Sequence, residues 1–407
     1  MPVHDPLQAA IISETDSLFD RLVAIRRDIH AHPEVGHAEF RTTQKILEIL
    51  ASVGLQAEVL SVGTGAICDI VPESYDASEG LVGLRADIDA LPIPDGKDVY
   101  FASTNPGVCH ACGHDVHTTI VLGVGLVLAR LRDEGLLRRG VRLIFQPAEE
   151  LTPGGALDAI DGGALKGVTE AYALHCDPRT DVGRVGLKAG AITSAVDRVH
   201  VALTGPGGHT SRPHLTADLV GALGALATTA PLMLSRKVDP RGGASLIWGR
   251  ITGGTIGNAI PRSGDIEGTL RALQPDAWRA AEKVLPQLFE QIVAPFGVSI
   301  KSTVTSGVPP TVNHAGGVRR LAEAARSFVG PDAVTTTEQS LGGEDFSWML
   351  QQVPGAMGRL GVRTPGVSGF PDIHQSTFSV DERCIVVGVR ILAGLAAAGA
   401  PIADDRG

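Results

Sequence analysis

Cysteine, aromatic residues and positive charge are all scarce in this chain, and each shortage removes a class of explanation. Five cysteines in 407 residues (Cys68, Cys109, Cys112, Cys176 and Cys384) form an odd, scattered set. Such a set makes a poor disulfide framework and suits a reducing compartment. Lys and Arg number 35 against 45 Asp and Glu, a formal net charge of −10. That balance argues against a nucleic-acid partner and gives no reason for affinity to anionic membranes. Residues 1–17 show no basic segment followed by an apolar core, so no signal peptide is expected. Apolar stretches such as Thr118–Leu131 read as too short or too interrupted to cross a bilayer. With only three Trp, three Tyr and ten Phe, an aromatic-lined pocket cannot be read from composition. The expectation is a soluble cytoplasmic protein, with two or three domains by length.

Apolar periodicity supplies the architecture. Leu18, Leu22, Val23 and Ile25 have helical spacing within residues 16–27, and Ile46, Leu47, Ile49 and Leu50 repeat it before Gly54. The runs Leu81–Asp87, Val141–Phe145 and Ala171–Leu174 read as buried strands, with a long apolar helix over Asp115–Arg132. Strands spaced by helices predict an α/β domain around a mainly parallel sheet. Near Gly190 the texture changes. Arg198–Leu203, Ala244–Ile251 and Asp265–Leu273 alternate like half-exposed strands, and Leu215–Ser235 and Pro275–Ala294 read as helices. This is the pattern of a small α+β layer with helices on one side of a sheet. From Val318 onward helix and strand alternate again. The expected organisation is a discontinuous domain of residues 1–191 and 311–407, interrupted by an insert over 192–310. Only Asp404–Gly407 looks loose.

Chemistry concentrates at His110-Ala111-Cys112-Gly113-His114-Asp115, Glu149-Glu150, His175 and His374. Thiolate, imidazole and carboxylate are the side-chain types that bind zinc-like ions. Each cluster reads as lying just after a strand, where open α/β sheets build their sites. Glu149 and Glu150 could be an ordinary solvated pair. On an extended segment their side chains would point to opposite sides, one to hold a metal and the other to take a proton from an acidified water. Cys109–Cys112 could be a redox pair or half of a structural zinc knuckle. No second Cys pair exists for a knuckle, and the helix begins after the motif rather than at its first Cys. Alone, His175 would pass as a satisfied core histidine and His374 as a loop residue. Asp87 and Asp89 read either as turn carboxylates or as acids that orient a histidine ligand. Gly205–Ser211 lacks the Lys-Ser/Thr ending of a phosphate loop, leaving His209 as a polar group on a turn. Asn258 and Arg271 are surface residues by default.

Taken together, these motifs resemble the di-metal N-acyl-amino-acid amidohydrolases: aminoacylases, hippurate hydrolases and auxin-conjugate hydrolases, kin to carboxypeptidases and dipeptidases. The likeness runs from His30–Glu34 through Arg85–Pro92, His110–Asp115, Gln146–Glu150, Gly207–His214 and Gly253–Pro261 to Gly342–Phe346. It implies an α/β catalytic domain with an inserted ferredoxin-like lid through which such proteins commonly form homodimers. It implies two divalent metal ions, zinc favoured by the thiolate, with manganese, cobalt or nickel as alternatives. The implied ligands are Cys112, His114, Glu150, His175 and His374. Glu149 would be the general base, and Asp87 and Asp89 would support the centre. His209, Asn258 and Arg271 would bind the substrate's carboxylate and the oxyanion. The implied substrate is an N-acyl-L-amino acid, with a dipeptidase, an aminopeptidase or a non-catalytic metal-binding scaffold as alternatives. Two departures stand out: His114 replaces the aspartate that bridges the metals in peptidase relatives, and no proline follows His374.

Overall fold

Two units divide the chain in the computed structural model, which describes residues 6–398 and Ile402. The tail over Asp404–Gly407 lies outside the described residues. The first unit comprises Met1–Ile192, Val312–Glu338 and Asp345–Gly407. It opens with α1 (Pro6–Ser17), α2 (Phe19–Ala31) and α3 (Phe40–Ala51). The apolar spacing read over 16–27 therefore spans a break at Leu18, and α2 buries Leu22, Ile25 and Ile29. There follow β1 (Ala57–Val59), β2 (Ala66–Ile70), β3 (Leu81–Asp87), α4 (His114–Asp133), β4 (Gly140–Gln146), α5 (Ala156–Asp161), β5 (Val168–Asp181), β6 (Val185–Leu187) and β7 (Gly190–Ala191).

The second unit comprises Thr193–Thr311 and Gln339–Glu344. Its elements are β8 (Ala195–Thr204), β9 (Gly208–His209), α6 (Leu219–Lys237), β10 (Ser245–Gly253), β11 (Ala259–Ile260), β12 (Ser263–Ala272), α7 (Pro275–Val293) and β13 (Ser299–Val308). The chain then returns through β14 (Val312–Asn313), α8 (Ala315–Phe328), β15 (Val334–Thr336), α9 (Phe346–Leu350), β16 (Gly355–Arg363) and α10 (Arg383–Ala398).

In the first unit, eight strands form one sheet in the order β1-β2-β4-β3-β5-β16-β6-β15. The central strands β4, β3, β5 and β16 run parallel, and antiparallel pairs lie toward the edges. Every residue of β3 and β4 is buried, the expected state of strands covered on both faces. One element runs further than its apolar run. β5 continues past Leu174 because β16 stays paired with it to Asp181. His175 is thus inside a strand, opposite Arg359, and does not follow a strand end.

α4 and α6 are long and apolar enough to cross a membrane by length and composition. The buried share of the α4 window is 94%, which marks it as a core helix. In the second unit, β8, β10, β12 and β13 form an antiparallel sheet ordered β10-β12-β8-β13. With α6 after β8 and α7 after β12, this is the βαββαβ order of a ferredoxin-like layer. The first helix starts later than its periodicity suggests, at Leu219, where the Asp218 side chain accepts from Gly221 N.

Candidate active site

The site lies where the parallel strands of the first unit end. Asp87 closes β3, Gln146 closes β4 and leads to Glu149, and His114 opens α4. Between Cys112 and His114 the chain turns at Gly113, whose φ is +92°; a β-carbon there would lie 2.8 Å from Cys176 Sγ. Glycine meets both demands, and the turn lets the two flanking side chains serve one centre. Candidate donor atoms of Cys112, His114 and His175 lie within 4.8 Å of one another, as do those of Cys112, Glu150 and His374, and those of His114, Glu149 and Glu150.

Hydrogen bonds fix the imidazole tautomers. His114 Nδ1 lies 2.9 Å from the Asp89 carbonyl oxygen and 3.2 Å from Asp89 Oδ1. His175 Nδ1 lies 2.9 Å from the Cys176 carbonyl oxygen. A carbonyl only accepts, so both Nδ1 atoms donate and both Nε2 atoms are left to face the cluster. Cys112 Sγ is 3.5 Å from His175 Nε2. Buried His114 Nε2 has no hydrogen-bond partner, yet it lies 3.7 Å from Asp87 Oδ2, 4.0 Å from Glu149 Oε2 and 3.9 Å from Glu150 Oε1. Glu150 Oε1 is 3.2 Å from His374 Nε2, outside hydrogen-bonding geometry. Imidazole, thiol and carboxylate donors brought this close together are a set that a shared cation satisfies.

The electrostatics agree. Burial disfavours a charged His114, but Asp87 and Cys112 outweigh it and hold its pKa well above the histidine range. The surrounding negative charge thus calls for a positive charge at Nε2, a proton or a metal ion in its place. Burial likewise opposes ionised Asp87, but His114, Arg85 and His117 hold its carboxyl well below the usual range. Burial pushes the Cys112 thiol up, so its thiolate calls for a cation beside it. Burial, then Arg359, pushes His175 down and keeps it the neutral imidazole that ligates metals. The residues present fit a bound metal.

One expectation is corrected. Glu149 and Glu150 do not point to opposite sides, because they lie in a turn rather than on extended chain. Ala148, just before them, has φ of +53°, and both carboxylates approach the same His114 nitrogen. Asp89 supports this centre twice, through His114 and by accepting from Glu150 N at 3.0 Å. Asp87 takes Arg85 Nη1 at 2.7 Å and His117 Nδ1 at 2.6 Å.

Sequence reasoning missed His117. Its Nε2 accepts from Cys176 N at 2.9 Å, so both ring nitrogens are engaged and it links α4 to β5. The available signal was its place three residues after His114, on the same helix face. Asp345 was missed as well. Its carboxylate takes Arg85 Nη2 at 2.8 Å, Gln146 Nε2 at 2.7 Å and Ala156 N at 2.9 Å. Cys109 is buried, and its backbone pairs with Leu91.

His209, Asn258 and Arg271 belong to the second unit. His209 is in β9, paired with Ala259 of β11, not on a free turn. Ser211 N donates to its Nδ1 at 3.1 Å, so Nε2 carries the ring proton and can donate. The carbonyl of Asn258 accepts from Thr210 N. Arg271, on β12, donates from Nη1 to the Leu341 carbonyl.

An α/β unit with a Cys-His-Glu cluster at its strand ends and a ferredoxin-like insert defines a metallohydrolase class. Comparison with known proteins names it: residues 83–398 match the model of Peptidase family M20/M25/M40, and the chain belongs to that family. It is a hydrolase of the amide-cleaving kind. Its relatives include the N-acetyl-L-cysteine deacetylase of Bacillus subtilis (strain 168), 36% identical over 373 residues that cover 91% of this chain and 86% of the relative. A Rhodococcus jostii (strain RHA1) protein named "Putative glutamate--cysteine ligase 2-3" is 44% identical over 92% of this chain. The chain spans only 46% of that relative's length, and the ligase name is not carried over. Among solved structures, the Bacillus subtilis YXEP protein, described as a dinuclear metal-binding peptidase of the M20 family, superposes with a TM-score of 0.80 at 31% identity. That superposition covers 94% of this chain and 98% of the other.

Proposed function

We propose that this protein hydrolyses N-acyl-L-amino acids, hippurate-like amides among them, to a carboxylic acid and a free amino acid. The observation that carries this reading is three overlapping groups of close donor atoms, Cys112-His114-His175, Cys112-Glu150-His374 and His114-Glu149-Glu150. The deacetylase relative and the dinuclear structural neighbour support the reading. Cys112, His114, Glu150, His175 and His374 would hold two divalent ions, zinc favoured by the thiolate and manganese, cobalt or nickel also compatible. Bound metal would acidify a water and polarise the amide carbonyl.

The residues then divide the work. Glu149 takes the attacking water's proton and returns it to the leaving amine. Asp89 fixes the His114 tautomer from the Nδ1 side, and Asp87, 3.7 Å from His114 Nε2, adds negative charge on the side that faces the cluster. His209 donates from Nε2 to the developing oxyanion, while Arg271 and Asn258 hold the substrate's α-carboxylate. A homodimer through the second unit is supported by edge strand β10, where Ile247 and Ile251 are 64% and 52% exposed. Five unpaired, buried cysteines are in keeping with the cytoplasm. A dipeptidase or aminopeptidase would use the same centre, and a scaffold would need no Glu149. Incubating acyl-amino-acid and dipeptide panels with and without chelator tests all three. The reading expects chelator-sensitive release of amino acid from the acyl panel. Turnover of dipeptides alone, or no turnover at all, would overturn it.

A further inference from the structure

The turn that brings Glu149 and Glu150 together is held from outside its own segment. Among the described residues, Ala148 is one of three non-glycine residues with positive φ, with His37 and His374, a conformation that a β-carbon disfavours. Such strain persists only where neighbours over-determine it. At Ala148 they do. Its N–H donates to Glu39 Oε1 at 2.8 Å, and its carbonyl accepts from Gly155 N at 2.9 Å. Two residues on, Glu150 N donates to Asp89 at 3.0 Å. Two buried carboxylates from distant segments thus take alternate N–H groups of the loop that bears the paired glutamates.

Glu39 is fully buried and belongs to residues 34–39, which join the loop by packing too. Ala90 N donates to the Glu34 carbonyl at 2.7 Å. A β-carbon on Gly36 would lie 3.1 Å from Ala148 Cα and 2.9 Å from Leu151 Cδ1. A buried carboxylate is costly to keep without a task. Here its Oε1 is the acceptor for the strained residue's N–H.

We propose that Glu39 is a positioning residue that holds Ala148 in the left-handed conformation and so aims Glu149 and Glu150 at one point. The proposal rests on the reading of Glu149 as base and Glu150 as ligand. With Glu39 in place, the carboxylates converge on His114; without it, the segment relaxes toward extended backbone and successive side chains diverge. The carboxylate acts as an acceptor, so an uncharged acceptor of the same shape serves equally well.

The test measures zinc affinity of the metal-free full-length protein, by competition with a chromophoric chelator, alongside kcat on benzoylglycine. Glu39→Ala should weaken zinc binding roughly 10- to 100-fold, the loss typical of removing a group that orients a ligand, and lower kcat with it. Glu39→Gln, whose amide oxygen still accepts from Ala148 N, should stay within about threefold of the parent on the same scale. Adding Ala148→Gly to Glu39→Ala should recover at least about tenfold in affinity, because glycine takes positive φ unaided. A merely structural loss would show no such rescue. If Glu39→Ala fails to fold, the Gln and double variants carry the comparison. Parent-like zinc affinity in Glu39→Ala, a Gln variant as weak as the Ala variant, or a double variant without recovery would overturn the proposal. Zinc affinity does not depend on Glu149 acting as base, so failure of the functional reading stays distinguishable.

Discussion

At the scale of single residues, side-chain type was legible and local geometry was not. Cys112, His114 and His175 declared themselves as donors, and the structure brings them together. The convergence of Glu149 and Glu150 could not be read, because it depends on the backbone of Ala148 and on a hydrogen bond from Glu39, 109 positions earlier. His117 stayed hidden for a similar reason, since its partners Asp87 and Cys176 come from two strands. The two cysteines of the motif now separate cleanly. Cys112 faces His175, whereas Cys109 is engaged by its backbone with Leu91. Cys112→Ser should therefore weaken zinc binding far more than Cys109→Ser, since a hydroxyl is a poor substitute for thiolate. Chelator competition on both variants measures this, and equal losses would mean that the pair acts as a unit.

Elements were legible wherever one face repeats. β3 follows its apolar run to the residue, and the alternation of β8 and β12 matches strands with one face against helices. Two features were not legible: the extension of β5, which its partner β16 decides, and the break at Leu18, which no change of periodicity marks. One junction of elements makes a pH prediction. Asp197 on β8 accepts from Trp278 Nε1 of α7 at 2.6 Å and from Gly307 N of β13 at 3.0 Å. Burial outweighs both bonds and pushes its carboxyl up to about 6. A carboxyl raised in the folded state contributes stability below its unfolded pKa of about 4 and loses it as pH rises through about 6. Asp197→Asn removes that titration. Relative to the variant, the parent should lose on the order of 3 kcal/mol between pH 4 and 7.5, from a shift of about two units. Urea unfolding followed by tryptophan fluorescence reads it, and a parent–variant difference that does not change with pH would contradict the assignment.

At the scale of the whole molecule, the proposed function makes a separate, testable demand on residues of each unit. Arg271 on β12 is proposed to take an α-carboxylate, which its planar fork suits. Benzoylglycine and its amide differ only there, so the amide should be much the poorer substrate. Arg271→Ala should cost the acid about 2–5 kcal/mol in kcat/KM, the loss expected when one partner of a shielded charge pair is removed, and leave the amide little changed. Equal turnover of acid and amide by the parent would move the reading toward a general amidase. The centre in the first unit answers to a still more direct measurement: metal content and benzoylglycine turnover of Glu149→Gln, with Glu150→Gln in parallel. The base contributes typically ~10²- to 10⁴-fold, so Glu149→Gln should lose activity on that scale while keeping the parent's metal content, and Glu150→Gln should lose metal. A Glu149→Gln protein that turns over like the parent, or that loses the metal while Glu150→Gln keeps it, would contradict the account.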